Sequence, residues 1–110
     1  MTRDEVYLRH ILEAIARIER YVSAGREAFF SDPMPQDAVI RQLAVIGEAV
    51  KDISVEARSR VPQIPWREIA GMRDLLIHKY HRVDLEQVWE VTQRDLIDLR
   101  RAVEQLLART

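Results

Sequence analysis

The sequence predicts an all-α protein, a compact antiparallel bundle of four to five helices, on three observations. Apolar residues recur at three- and four-residue intervals through most of the 110 positions. No segment alternates apolar and polar residues with the period of two that marks a half-buried strand. Capping residues and prolines punctuate the chain at spacings that suit bundle helices. A chain of this length is expected to form one domain, residues 1–110, large enough for its own core.

The first helix opens with Thr2 and Glu5 at capping-box spacing, which satisfies free N–H groups of the first turn. Val6, Leu8, Ile11, Leu12, Ile15, Ile18 and Val22 then form its apolar stripe. Gly25 ends or bends it, Arg26 to Phe30 add one further turn, and Ser31, Asp32 and Pro33 make a break.

The second long helix is expected after Pro35, with Asp37 near its start and Val39, Ile40, Leu43, Val45, Ile46 and Val50 facing inward. Gly47 costs this helix about 1 kcal/mol relative to alanine, which predicts close approach of a neighbouring helix there. Glu48 beside it reads either as a surface carboxylate or as a group that orients Arg73 or His78.

Ser54 to Arg60 fit a brief helix that stops before Pro62, because proline disfavours helical backbone at the residue before it. Pro65 then starts the third long helix, where its missing N–H does no harm. Trp66, Ile69, Met72, Leu75 and Leu76 face inward, Gly71 predicts a second tight helix contact, and the helix ends around Tyr80 to Arg82. Asp84 caps the last helix with Gln87 three residues on, and Leu85, Val88, Trp89, Val91, Leu96, Leu99, Val103 and Leu106 carry its stripe.

Composition excludes several classes of function. A formal net charge of −1 provides no global basic field for nucleic acid, so any such site must be local. The absence of cysteine removes thiol nucleophiles, disulfides and cysteine-based zinc sites. There is no Gly-rich phosphate loop and no metal-ligand cluster, so no metal or cofactor is expected. The N-terminal MTRDEVYLRH lacks the apolar run of a signal peptide, and no stretch approaches the ~18 apolar residues of a membrane span, which favours a cytoplasmic location.

One stretch carries chemistry: RDLLIHKY, from Arg73 to Tyr80. Arginine presents a planar fork of donors suited to phosphate. Histidine can act as acid or base near neutrality. With Lys79, His81 and Arg82 the segment is locally basic, as a small RNA-contacting site requires. The same pattern also fits an ordinary amphipathic helix whose basic end favours the helix dipole. On a continuous helix Tyr80 projects within about 20° of Arg73, whereas His78 points about 140° away. Cooperation between Arg73 and His78 therefore requires either unwinding near His78 or groups from a second copy, as in a two-fold homodimer.

Arg73, Asp74, His78 and Tyr80 resemble the signature of the HEPN superfamily: an arginine, a small polar residue, and a histidine four to six residues on. The tyrosine two past the histidine is similar to that of the HepT-like toxin branch. AVIRQLAVIGEAVKDIS, IPWREIAGMRDLLIHKY and VDLEQVWEVTQRDL resemble the family's blocks in their order. The resemblance implies a homodimeric helical bundle acting as a metal-independent RNA endonuclease, paired with an MNT-type nucleotidyltransferase antitoxin that attaches AMP to the tyrosine. Carried over, it implies catalytic roles for Arg73 and His78, a supporting role for Asp74, and modification of Tyr80. Lys79, His81 and Arg82 stand where relatives often carry a small or acidic residue, an aromatic and a glycine; these cations either strengthen RNA contact or reflect a different partner surface. A non-catalytic dimerisation and docking module for a nucleotidyltransferase is the alternative. A nucleotide-binding accessory subunit is a weaker third reading, since no phosphate loop is visible.

Overall fold

The structure, a computed structural model, describes residues 1–78 and 83–109, with the side chains of all of these except positions 73 and 75–78. Every regular element among the described residues is helical. Helix α1 spans Arg3–Tyr21, α2 Arg26–Ser31, α3 Pro33–Lys51, α4 Val55–Ser59 and α5 Trp66–His78. The last helical rod comprises α6, Leu85–Glu90, a π-helical turn at Val91–Asp95, and α7, Leu96–Ala108. Counting that rod as one gives six helices among the described residues. The sequence reading counted four to five because it left the two short turns undecided, and both close as helices.

Local chemistry accounts for the ends. The Thr2 hydroxyl accepts from the Glu5 N–H at 3.2 Å, and the Ser54 hydroxyl accepts from Ala57 N–H at 3.1 Å. Gly25 has φ of +97°, a backbone region that side chains disfavour, and it turns the chain from α1 into α2. The second long helix begins earlier than expected. It starts at Pro33 rather than after Pro35, because Asp32 caps it by accepting from Met34 N–H at 3.0 Å. First-turn N–H groups have no partner within the helix, so proline there loses nothing.

The core is the stripe of α1 meeting that of α3. Leu8, Ile11, Ile15 and Ile18 are buried against Val39, Leu43, Ile46 and Val50. Helix α3 is the hub, packed by α1 on one side and α5 on the other, while α7 packs on α1. Gly47 is buried within that hub. Val45, expected inside, is 37% exposed. It sits about 200° around the helix from Leu43, on the side that α1 and α5 leave open.

Polar contacts between distant positions pin the elements. Asp4 accepts from the Ser54 N–H and hydroxyl at 2.8 and 2.6 Å, tying the start of α1 to α4. Arg26 spans both carboxylate oxygens of Glu86 at 2.6 Å, while its guanidinium lies over Phe30, 4.6 Å from the ring centre. Phe29 meets Phe30 edge-to-face, both rings lie tilted against Trp89, and together they link α2 to α6. The buried Trp66 indole donates to the Val61 carbonyl at 2.9 Å and fixes the entry to α5. In the last rod, the Thr92 hydroxyl donates to the Trp89 carbonyl at 2.6 Å, a side-chain bond that competes with the helix ladder where the π turn begins. No helix among the described residues is long and apolar enough to cross a membrane.

Candidate functional site

The chemistry-bearing stretch begins on α5, whose position is set by its packing on α3 and by the Trp66 anchor. Backbone positions 73, 74 and 78 all lie on this helix, which is continuous from Trp66 to His78. The helix does not unwind before His78, so positions 73 and 78 stand about 140° apart around its axis. Tyr80, Lys79, His81 and Arg82 lie outside the described residues, as does the expected helix end between Tyr80 and Arg82.

Asp74 is exposed and pairs with Lys51 Nζ at 3.3 Å. Lys51 ends α3, so this contact joins the hub helix to the motif helix within one residue of Arg73. Glu48 is exposed on α3, one helical turn before Lys51. Sequence reasoning missed Lys51. A pairing across 23 positions leaves no local signature, although Glu48 and Lys51 share a face at helical spacing. Among the described residues there is no group of three or more His, Asp or Glu side chains arranged to hold a metal ion.

Gly71 departs from the expected close contact. It is exposed, and a Cβ built on it would meet nothing within 4 Å. The glycine faces an open groove between α5 and the last rod, so no neighbour demands its small size.

The Asp74–Lys51 pair is solvent-accessible on both sides, at 56% and 38%. Surface pairs contribute about 0–1 kcal/mol. Asp74→Ala and Lys51→Ala should therefore each shift stability by less than about 1 kcal/mol in urea melts. If Asp74 supports chemistry rather than helix docking, Asp74→Ala should lower RNA cleavage while Lys51→Ala leaves it near wild type. Equal losses in the two variants would assign Asp74 a docking role alone.

With this geometry in hand, comparison with known proteins identifies the lineage. The family model described as "Ribonuclease HepT-like" matches residues 11–106. The chain belongs to the HepT-like family. That match covers α3, the motif helix and nearly all of the last rod. A protein of Thermococcus cleftensis named "Probable ribonuclease HepT" is 44% identical over 91% of this chain and 92% of its own length. "Putative RNase TTE0752" of Caldanaerobacter subterraneus subsp. tengcongensis is 41% identical over 97% of this chain and 96% of its own. A Methanocaldococcus jannaschii protein, "Gamma-glutamylcyclotransferase and putative RNase MJ0434", is 46% identical over 94% of this chain, which spans only 47% of that relative. No solved structure matches the chain. The HepT-like match agrees with the all-helical fold.

Proposed function

We propose that this HepT-like protein is a toxin that cleaves RNA without a metal, using Arg73 and His78 in a cleft between two copies of the chain. The observation that carries the reading is the family match across residues 11–106, which contains the whole RDLLIHKY motif. Ribonuclease names on relatives that align along nearly their entire length support the same substrate class. The continuity of α5 supports the two-copy cleft, because a two-fold axis brings Arg73 of one chain towards His78 of the other.

In the reaction, the ribose 2′-OH attacks the adjacent phosphorus and the bond to the 5′-oxygen of the next nucleotide breaks. His78 acts as general base on the 2′-OH proton or as general acid on the leaving oxygen. Arg73 holds the phosphate and stabilises charge developing on its oxygens. The products are a 2′,3′-cyclic phosphate and a 5′-hydroxyl end, so DNA is not a substrate. Lys79, His81 and Arg82 add cationic contacts to the RNA backbone.

Control belongs to an MNT-type nucleotidyltransferase antitoxin. The Tyr80 oxygen attacks the α-phosphorus of ATP, pyrophosphate leaves, the phenolic proton goes to solvent, and AMP remains on the tyrosine.

The test is incubation of the purified protein with end-labelled RNA, its all-deoxy counterpart and excess EDTA, together with sedimentation to define the oligomer. Cleavage of RNA alone, insensitive to EDTA, by a dimer is the expected result. Chelator-sensitive cleavage would overturn the metal-free mechanism, and a fully active monomer would overturn the shared cleft.

A further inference from the structure

Within one chain the motif helix keeps its two key positions apart, since 73 and 78 stand about 140° from each other around α5. Position 74 is placed differently. It precedes 78 by four residues, so the two share a face, about 40° apart and roughly 6 Å along the axis. A cation reaches this face from another helix. Lys51, in the last turn of α3, places its ammonium 3.3 Å from Asp74 Oδ2. The packing of α3 on α5 brings the two side chains together.

The contact leaves Lys51 able to do more than hold two helices together. Its side chain is 38% exposed and that of Asp74 56%, and pairs so open to water contribute about 0–1 kcal/mol. A lysine ammonium carries three N–H donors, and Asp74 accepts from one of them. The next carboxylate along α3, Asp52, is engaged by Arg3 of α1 at 3.0 Å. Lys51 therefore retains donors for a further acceptor beside the motif helix. A backbone phosphate is such an acceptor, and an ammonium binds it as a point charge.

We propose that Lys51 is a substrate-binding residue: its ammonium holds a backbone phosphate of the RNA adjoining the bond on which His78 acts, and Asp74 keeps it at the motif. The inference rests on the ribonuclease reading above and deepens it, adding to that site a cation from α3 that lies outside the RDLLIHKY run.

The experiment measures binding of the full chain to a fluorescein-labelled RNA oligonucleotide with 2′-O-methyl groups, which block the attacking hydroxyl and prevent cleavage. Anisotropy is followed over a range of sodium chloride concentrations. Each phosphate neutralised on a single strand adds about 0.7 to the slope of log affinity against log salt. Lys51→Met should flatten that slope by about 0.7 and weaken binding about tenfold at low salt. Lys51→Arg, which keeps the charge, should keep the slope. Asp74→Asn removes the carboxylate and leaves the ammonium, so its slope should be at least as steep as that of wild type. With unmodified RNA, Lys51→Met should raise KM about tenfold while kcat changes much less, so the comparison of Lys51→Ala with Asp74→Ala is made at saturating RNA. Melting curves check the fold, and if Lys51→Met fails to fold, Lys51→Gln carries the same test. A lysine placed there only to favour the helix dipole would change melting and leave the salt slope alone. An unchanged slope in the folded Lys51 variant, with wild type binding and cleaving RNA, would overturn this proposal alone. Equal flattening in Asp74→Asn would also overturn it, by assigning the pair to helix docking. A wild-type protein that neither binds nor cleaves RNA would overturn it together with the ribonuclease reading.

Discussion

Replacing His78 with alanine is expected to abolish RNA cleavage and growth inhibition while the protein stays folded. General acid–base help of the kind assigned to this side chain contributes about 10²–10⁴-fold to rate. Arg73→Ala removes the charge that stabilises the phosphate, and loss of such a stabilising group lowers turnover by about 10²–10³. The fold should tolerate both changes, because alanine is the better helix former at either position. Measured side by side, the two variants should show cleavage near background with melting temperatures close to wild type. Mixing the two inactive variants offers a sharper reading of the shared cleft. If one chain supplies Arg73 and the other His78, mixed dimers regain one intact site and partial activity. Undiminished cleavage by His78→Ala would return the protein to the alternative role of a docking module for a nucleotidyltransferase.

Tyr80→Phe should remove antitoxin control while preserving toxicity. Tyr80 follows His78 by two positions in the sequence. The substitution deletes a single hydroxyl, the only atom that accepts AMP in the proposed reaction. If the added phosphate meets the cations that neighbour Tyr80 in the sequence, Arg73, Lys79 and Arg82, charge-assisted hydrogen bonds would hold it. The adduct then occupies the position of an RNA phosphate and blocks the site by competition. Intact-mass spectrometry after incubation with the cognate nucleotidyltransferase and ATP reads the outcome directly. Wild type should gain one or more AMP masses, and Tyr80→Phe none. Equal gains on both would move the modification to another residue.

Most of the architecture was legible in the sequence because it depends on interactions within a few turns of chain. The stripe Leu8, Ile11, Ile15 and Ile18 is buried as its spacing requires, and Leu96, Leu99, Val103 and Leu106 repeat the pattern in α7. Thr2 and Asp84 cap the helices that their positions announced. The motif was equally local, since a run of eight residues carries all of its signature side chains. Periodicity shows which face of a helix is apolar. It says nothing about which helix will cover that face, or whether any will.

That second question belonged to the tertiary structure. Val45 looked like core by type and spacing, yet it is 37% exposed, about 200° around α3 from the buried Leu43. Gly71 read as a contact point, yet a Cβ built there meets nothing within 4 Å. The π turn at Val91–Asp95 was invisible, since a side-chain bond from Thr92 to the Trp89 carbonyl changes no periodic pattern. The pairings of Lys51 with Asp74 and Arg26 with Glu86 join positions 23 and 60 residues apart. Composition alone cannot match such partners, because many oppositely charged residues of equal propensity compete for them. The sequence by itself determined the helices, their caps and the chemistry-bearing motif through short-range backbone and side-chain physics. Only the packing of helix on helix decided which residues of each stripe are covered, because coverage depends on where distant segments come to rest.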